Sequence, residues 1–211
     1  MNADREIRQI LLENIPRDLV LGVEEALNAG AARAYTAAKG MADGHLPHVV
    51  GQLRHFQMNE AFHLALTAGK ASPTPILGNA IVTGRSGLVA LGRFNIPQGI
   101  WTNGRRSATR KQMSMANRSI EALLQHDLFD PPSAVTEAAV FFVACFSGSM
   151  RYHPEAPLSI QIAVPAPNMQ RWLFRESVAR FVEHYDMPAE GKQIDLATPT
   201  LKRIQKRESG E

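Results

Sequence analysis

The stretch LSIQIAV at residues 158–164 sets Leu158, Ile160, Ile162 and Val164 on one side of an extended chain and Ser159, Gln161 and Ala163 on the other. Strict alternation is the period of a β-strand with one buried face. The N-terminal third of the chain shows helical spacing instead, so this strand decides between an all-helical protein and an α+β one.

Four further segments read as extended. Residues 135–147 are almost continuously apolar through Val140, Phe141, Phe142, Val143 and Phe146. That favours a strand covered on both faces, with a buried helix as the alternative, since so short a run has no decisive period. Ala80–Thr83 and Leu88–Phe94 read as two strands of a hairpin joined by Gly84-Arg85-Ser86-Gly87. A loop of this kind offers backbone N–H groups to a phosphate, but no P-loop lysine or helix follows it. Ile100-Trp101 reads as a brief further strand.

Helices fill the remainder. Ile7, Ile10 and Leu11 mark a short one over Ala3–Asn14, ended before Pro16. Val20, Val23, Leu27, Ala31, Ala34 and Ala38 line a second over Arg17–Ala38, whose alanines allow another helix close and whose Gly30 marks a kink. A third runs over His45–Ala68 with Pro47 in its first turn, and Leu46, Val49, Leu53, Phe56 and Leu64 form its expected core stripe. A fourth, basic helix starts near Gly104, with Thr109, Met113, Ala116, Ile120 and Leu123 on its inner side. A last one, capped by Asn168, buries Phe174, Val178, Phe181, Val182 and Tyr185. The expectation is one α+β domain over residues 1–187: a helical layer (1–69) on a mostly antiparallel four- to five-stranded sheet with two further helices (79–186). Residues 188–211 read as a polar, basic tail.

At 211 residues, 45% hydrophobic and 20% charged, the composition is that of a folded globular protein. One cysteine, Cys145, excludes an internal disulfide framework and a cysteine metal cluster; among Phe and Val neighbours it reads as an inert core thiol. No apolar run approaches the ~20 residues of a membrane span, and the N-terminus lacks a secretory pattern. A cytoplasmic setting with no membrane partner follows as the expectation.

The net charge of +3 is unevenly spread. Arg93, Arg105, Arg106, Arg110, Lys111 and Arg118 lie in residues 91–118, which contain no acid. One-signed surface meets an anion. Ser107 and Ser114 add hydroxyl groups to the expected outer face of a basic helix at 105–118, while Trp101 and Phe94 offer rings for unpaired bases. These residues point to a non-catalytic accessory or regulatory protein binding an anionic partner, nucleic acid first. An interaction or inhibitory module docking on an acidic protein surface is the alternative, and self-assembly into a homo-oligomer is compatible with either.

A competing enzyme reading rests on the third helix. Glu60 falls within the expected apolar stripe, and His63 follows at the Glu-x-x-His spacing of half a di-metal site, whose second half is missing. His55 or His63 with Glu60 would make an acid–base pair; an ion pair with Arg33 or Arg54 is the structural alternative. The expected strands 80–83, 88–94 and 158–164 carry no Asp or Glu, and no glycine-rich dinucleotide fingerprint is present. Ser147-Gly148-Ser149 lacks the nucleophile-elbow pattern. No metal or cofactor is expected.

Overall fold

A computed structural model describes residues 2–124 and 134–186. The elements are α1 (Asn2–Asn14), α2 (Arg17–Ala38), α3 (Leu46–Ala68), β1 (Gly84–Ser86), β2 (Val89–Pro97), α4 (Ala108–Ser114), α5 (Arg118–Leu124), β3 (Ala138–Phe146), β4 (Ser159–Pro165), β5 (Trp172–Ser177) and α6 (Val178–Glu183). The strands form one sheet in sequence order, β1-β2-β3-β4-β5. β2 and β3 are parallel and the other neighbours antiparallel, so the fold is α+β with a mostly antiparallel sheet. A parallel pair needs a crossover, and here the basic segment supplies it.

The sheet is covered on both sides. Val89, Leu91, Val140, Phe142, Ile162 and Phe174 face α1, α2, α3 and α6, while Phe94, Ile96, Phe141, Val143 and Ala163 face the crossover with Trp101, Met113 and Trp172. That double cover explains residues 135–147: β3 is buried along its whole length, and the favoured strand reading holds over the buried-helix alternative. Within the helical layer α2 runs without a break at Gly30. A Cβ there would lie 2.9 Å from the Gln57 carbonyl oxygen and the Met58 Cα of α3, so the glycine serves close helix contact. Gly30→Ala is expected to destabilise by ~1–3 kcal/mol, despite its better helix propensity, as a lowered melting temperature.

Several sequence expectations are corrected. Residues 80–83 do not pair with β2, because the Asn59 side chain takes their backbone: Asn59 Nδ2 donates to the Ala80 carbonyl (2.7 Å) and Val82 N–H donates to Asn59 Oδ1 (3.3 Å). The hairpin therefore starts at Gly84 and turns at Gly87, whose φ is +54°. Ile100-Trp101 is no strand; a 3-10 helix covers Trp101–Arg106. The basic helix is broken, since Ser107 caps α4 and Met115–Asn117 is a 3-10 turn. Thr109 is exposed and Ser114 buried, the reverse of the expectation. The last helix is shorter than expected: Trp172–Ser177 is β5, and α6 begins after Ser177, whose hydroxyl accepts from Arg180 N–H at 3.3 Å.

The largest correction concerns α3. Its buried residues are Val50, Met58, Asn59, Ala61, Phe62 and Leu66, while Phe56 and Leu64 are 42% and 61% exposed. Both sides of this helix are apolar, so the period alone selected the wrong one. Residues 188–211, read as a polar, basic tail, lie outside the described residues. No described helix is long and apolar enough to cross a membrane.

Candidate anion-binding surface

The crossover is anchored before its charges are displayed. Gly104 is buried, and a Cβ on it would lie 3.1 Å from Met169 Cε and 3.4 Å from the Phe94 and Trp172 rings. Asn117 is fully buried: its Nδ2 donates to the carbonyls of Ala139 (3.0 Å) and Pro165 (2.7 Å), and its Oδ1 accepts from Ala139 N–H (2.6 Å). One side chain thus ties the crossover to β3 and β4. Such a polar group tolerates burial because its bonding capacity is used.

The cations divide into two sets. Arg105 Nε donates to the Met169 carbonyl at 3.0 Å and its Nη2 to that of Gln170. It thereby holds a β4–β5 loop in which Asn168 and Met169 both have positive φ. Arg110 lies over the Phe94 ring, 4.7 Å from its centroid, and its Nε donates to the Gly104 carbonyl at 2.9 Å. Burial lowers the Arg110 pKa. Arg106, Lys111 and Arg118 are exposed, as is Arg105 itself. Ser107 caps α4, accepting from Arg110 N–H at 3.3 Å, and the Ser114 hydroxyl donates to the Lys111 carbonyl at 2.7 Å. Both hydroxyls are engaged with the chain itself.

β5 adds to this face what the sequence could not place. The Arg175 guanidinium sits over Trp101 at 4.8 Å, Trp101 meets Trp172 edge-on at 5.1 Å, and Arg171 pairs with Glu121 at 2.6 Å. Trp101 remains half-buried, but Phe94 is in the core against Phe141 and Trp172 and has no face for a base. Beside Met113, Met115 and Arg118 opens a cavity of about 530 Å³, with Glu137 on its wall.

Arg93 is not on this surface. It points to the opposite side of the sheet, 2% exposed, where Nε and Nη2 donate to Asn59 Oδ1 (3.2 and 3.1 Å), Nη2 to the His55 carbonyl (2.5 Å) and Nη1 to Asn95 Oδ1 (3.3 Å). Every acceptor is neutral. Burial, then the nearby Arg110 charge, lowers its pKa to about 9. The His55 pKa is also lowered, by burial first and by Arg93 and Arg110, against a bond to the Asn79 backbone that raises it. A histidine more easily protonated unfolded than folded removes stability as pH drops below its unfolded value near 6.5. Stability is therefore expected to fall on acidification from about pH 7 to 5, and a His55→Gln variant to show a shallower fall in denaturant titrations.

The acid–base alternative is not assembled. Glu60 is exposed and interrupts no buried stripe; His55 meets Phe56 edge-on, and His63 lies half-buried. The structural alternative for Glu60 does not form either, because Arg33 bonds Gln57 and Arg54 bonds the Pro154 carbonyl while stacking on Phe146. Among the described residues no three His, Cys, Asp or Glu side chains group to hold a metal. Cys145 is buried in the core, where desolvation raises its pKa. Sequence reasoning missed the bonding roles of Asn59, Asn95 and Asn117; Asn59 is followed by Glu60 and Asn117 by Arg118, so their neighbours do not mark them as core positions. Comparison with protein-family models, with curated proteins and with solved structures finds no match to this chain.

Proposed function

We propose that this is a non-catalytic accessory or regulatory protein that binds an anionic partner, nucleic acid first, across the outer face of residues 101–118, and that it works in the cytoplasm. One observation carries the reading: Arg106, Lys111 and Arg118 are exposed on a layer whose backbone Arg105, Arg110 and Asn117 tie down. Anchored backbone with outward cations presents charge at little conformational cost. Arg175 over Trp101 adds a flat cationic surface on the same side, suited to stacking with a base as well as pairing with a phosphate.

The test is fluorescence-anisotropy titration of labelled single- and double-stranded DNA and RNA with the parent protein and an Arg106→Glu, Lys111→Glu, Arg118→Glu variant. Binding in the parent and loss in the variant at unchanged melting temperature supports the reading. Equal binding by both proteins refutes it. Absence of binding to all four probes removes nucleic acid and turns the search to an acidic protein surface.

A further inference from the structure

We propose that a phosphate group binds at the outer edge of β2, beside Arg93, His55 and Asn95, on the side of the sheet opposite the exposed cations. The observation is a buried charge without a counter-charge. Arg93 is 2% exposed and bonds only neutral acceptors. Burying an ion in this way is expensive unless an opposite charge accompanies it. A second positive charge adds to that cost: Arg110, over Phe94 on the other face of the sheet, acts electrostatically on both Arg93 and His55.

What remains unused there matches an oxyanion. One Arg93 Nη1 hydrogen has no partner, and the Asn95 amide accepts from Arg93 through Oδ1, which leaves its Nδ2 hydrogens for another acceptor. His55 Nε2 is a buried ring nitrogen with no hydrogen-bond partner. In the neutral tautomer whose proton is on Nδ1, Nε2 is an acceptor. Two donors and one acceptor at a buried guanidinium suit a phosphate that still bears a hydroxyl. A carboxylate offers acceptors alone and leaves Nε2 unpaired. The approach is from the strap at residues 79–83: Asn79 and Ala80 are exposed, Asn95 and His55 half-buried, and the strap is tied to α3 through Asn59.

The site is independent of the proposed nucleic-acid surface and is tested apart from it. The first measurement follows the His55 ring by NMR, assigned with His55→Gln, as inorganic phosphate or glycerol 3-phosphate replaces chloride at constant ionic strength. A saturable change with a raised His55 pKa is expected, because a bound anion favours the charged ring. Saturation should also raise the melting temperature by about 5 to 10 °C at ~100 times the dissociation constant. Tighter binding of the ester would identify a phosphorylated metabolite as the source, and equal binding free phosphate.

The second measurement supplies the anion covalently. Asn95→Asp puts a carboxylate 3.3 Å from Arg93 Nη1 if the side chain keeps its place. The variant should melt about 2 to 4 °C higher and lose its phosphate response, while the Arg106, Lys111, Arg118 reversal keeps it. No saturable response of the parent beyond that to chloride overturns the proposal. So does an Asn95→Asp protein that melts lower than the parent or still binds phosphate.

Discussion

Replacing Asn59 by Leu is expected to lower stability by about 3 kcal/mol or more, read as a melting temperature some 10 °C lower. Asn59 is the junction of three elements. From α3 its Oδ1 accepts from Arg93 of β2 and from Val82 N–H, and its Nδ2 donates to the Ala80 carbonyl. Leucine matches its size but leaves the Arg93 guanidinium, 2% exposed, with fewer acceptors, together with two backbone groups of the strap. An unmet donor costs more when it is charged. Asn59→Asp separates the contributions: it keeps the Arg93 bonds and adds a counter-charge, but replaces the donor to Ala80 with an acceptor. Its stability should exceed that of the Leu variant. A Leu variant within 0.5 kcal/mol of the parent in denaturant melts would show that Arg93 is satisfied by other means.

The strand at 158–164 and the bounds of α2 and α3 were legible because each pattern runs long enough to establish its period. Other parts failed for identifiable reasons. Phe174 stands four residues before Val178, as on one helix face, yet it belongs to β5, and the boundary is a serine cap between them. In α3 the stripe through Phe56 and Leu64 is as regular as the buried one through Met58 and Phe62. What separates them is the buried Asn59, which sequence reading treats as a surface residue. The basic segment was recognised as charged, but its partition into anchors and exposed cations depends on loop carbonyls at Gly104 and Met169 that no side-chain pattern records. Arg175 of β5 and Arg171 just before it reach the same face, where the sequence pattern reads as helix.

The second large effect follows from that partition. Reversing Arg106, Lys111 and Arg118 together is expected to reduce nucleic-acid affinity on the order of 100-fold, because three attractive charges become repulsive at a surface held by backbone contacts. Exposed substitutions of this kind leave stability within about 0.5 kcal/mol. Arg110→Glu should behave differently. It removes the guanidinium from the Phe94 ring and the donor from the Gly104 carbonyl, so binding and melting temperature should fall together. An Arg110 variant alone would not separate contact from folding; the exposed triple does. A triple variant that melts far below the parent would mean that these side chains hold the crossover in place.

The most direct measurement is the salt dependence of nucleic-acid affinity for the parent and the triple variant. Phosphate contacts release counterions, and log affinity falls with log salt by about 0.9 per contact on a duplex and about 0.7 on a single strand. The account predicts a linear fall for the parent and a slope at least about two units shallower for the variant. Affinity independent of salt, or the same slope in both proteins, would contradict a binding surface made by Arg106, Lys111 and Arg118.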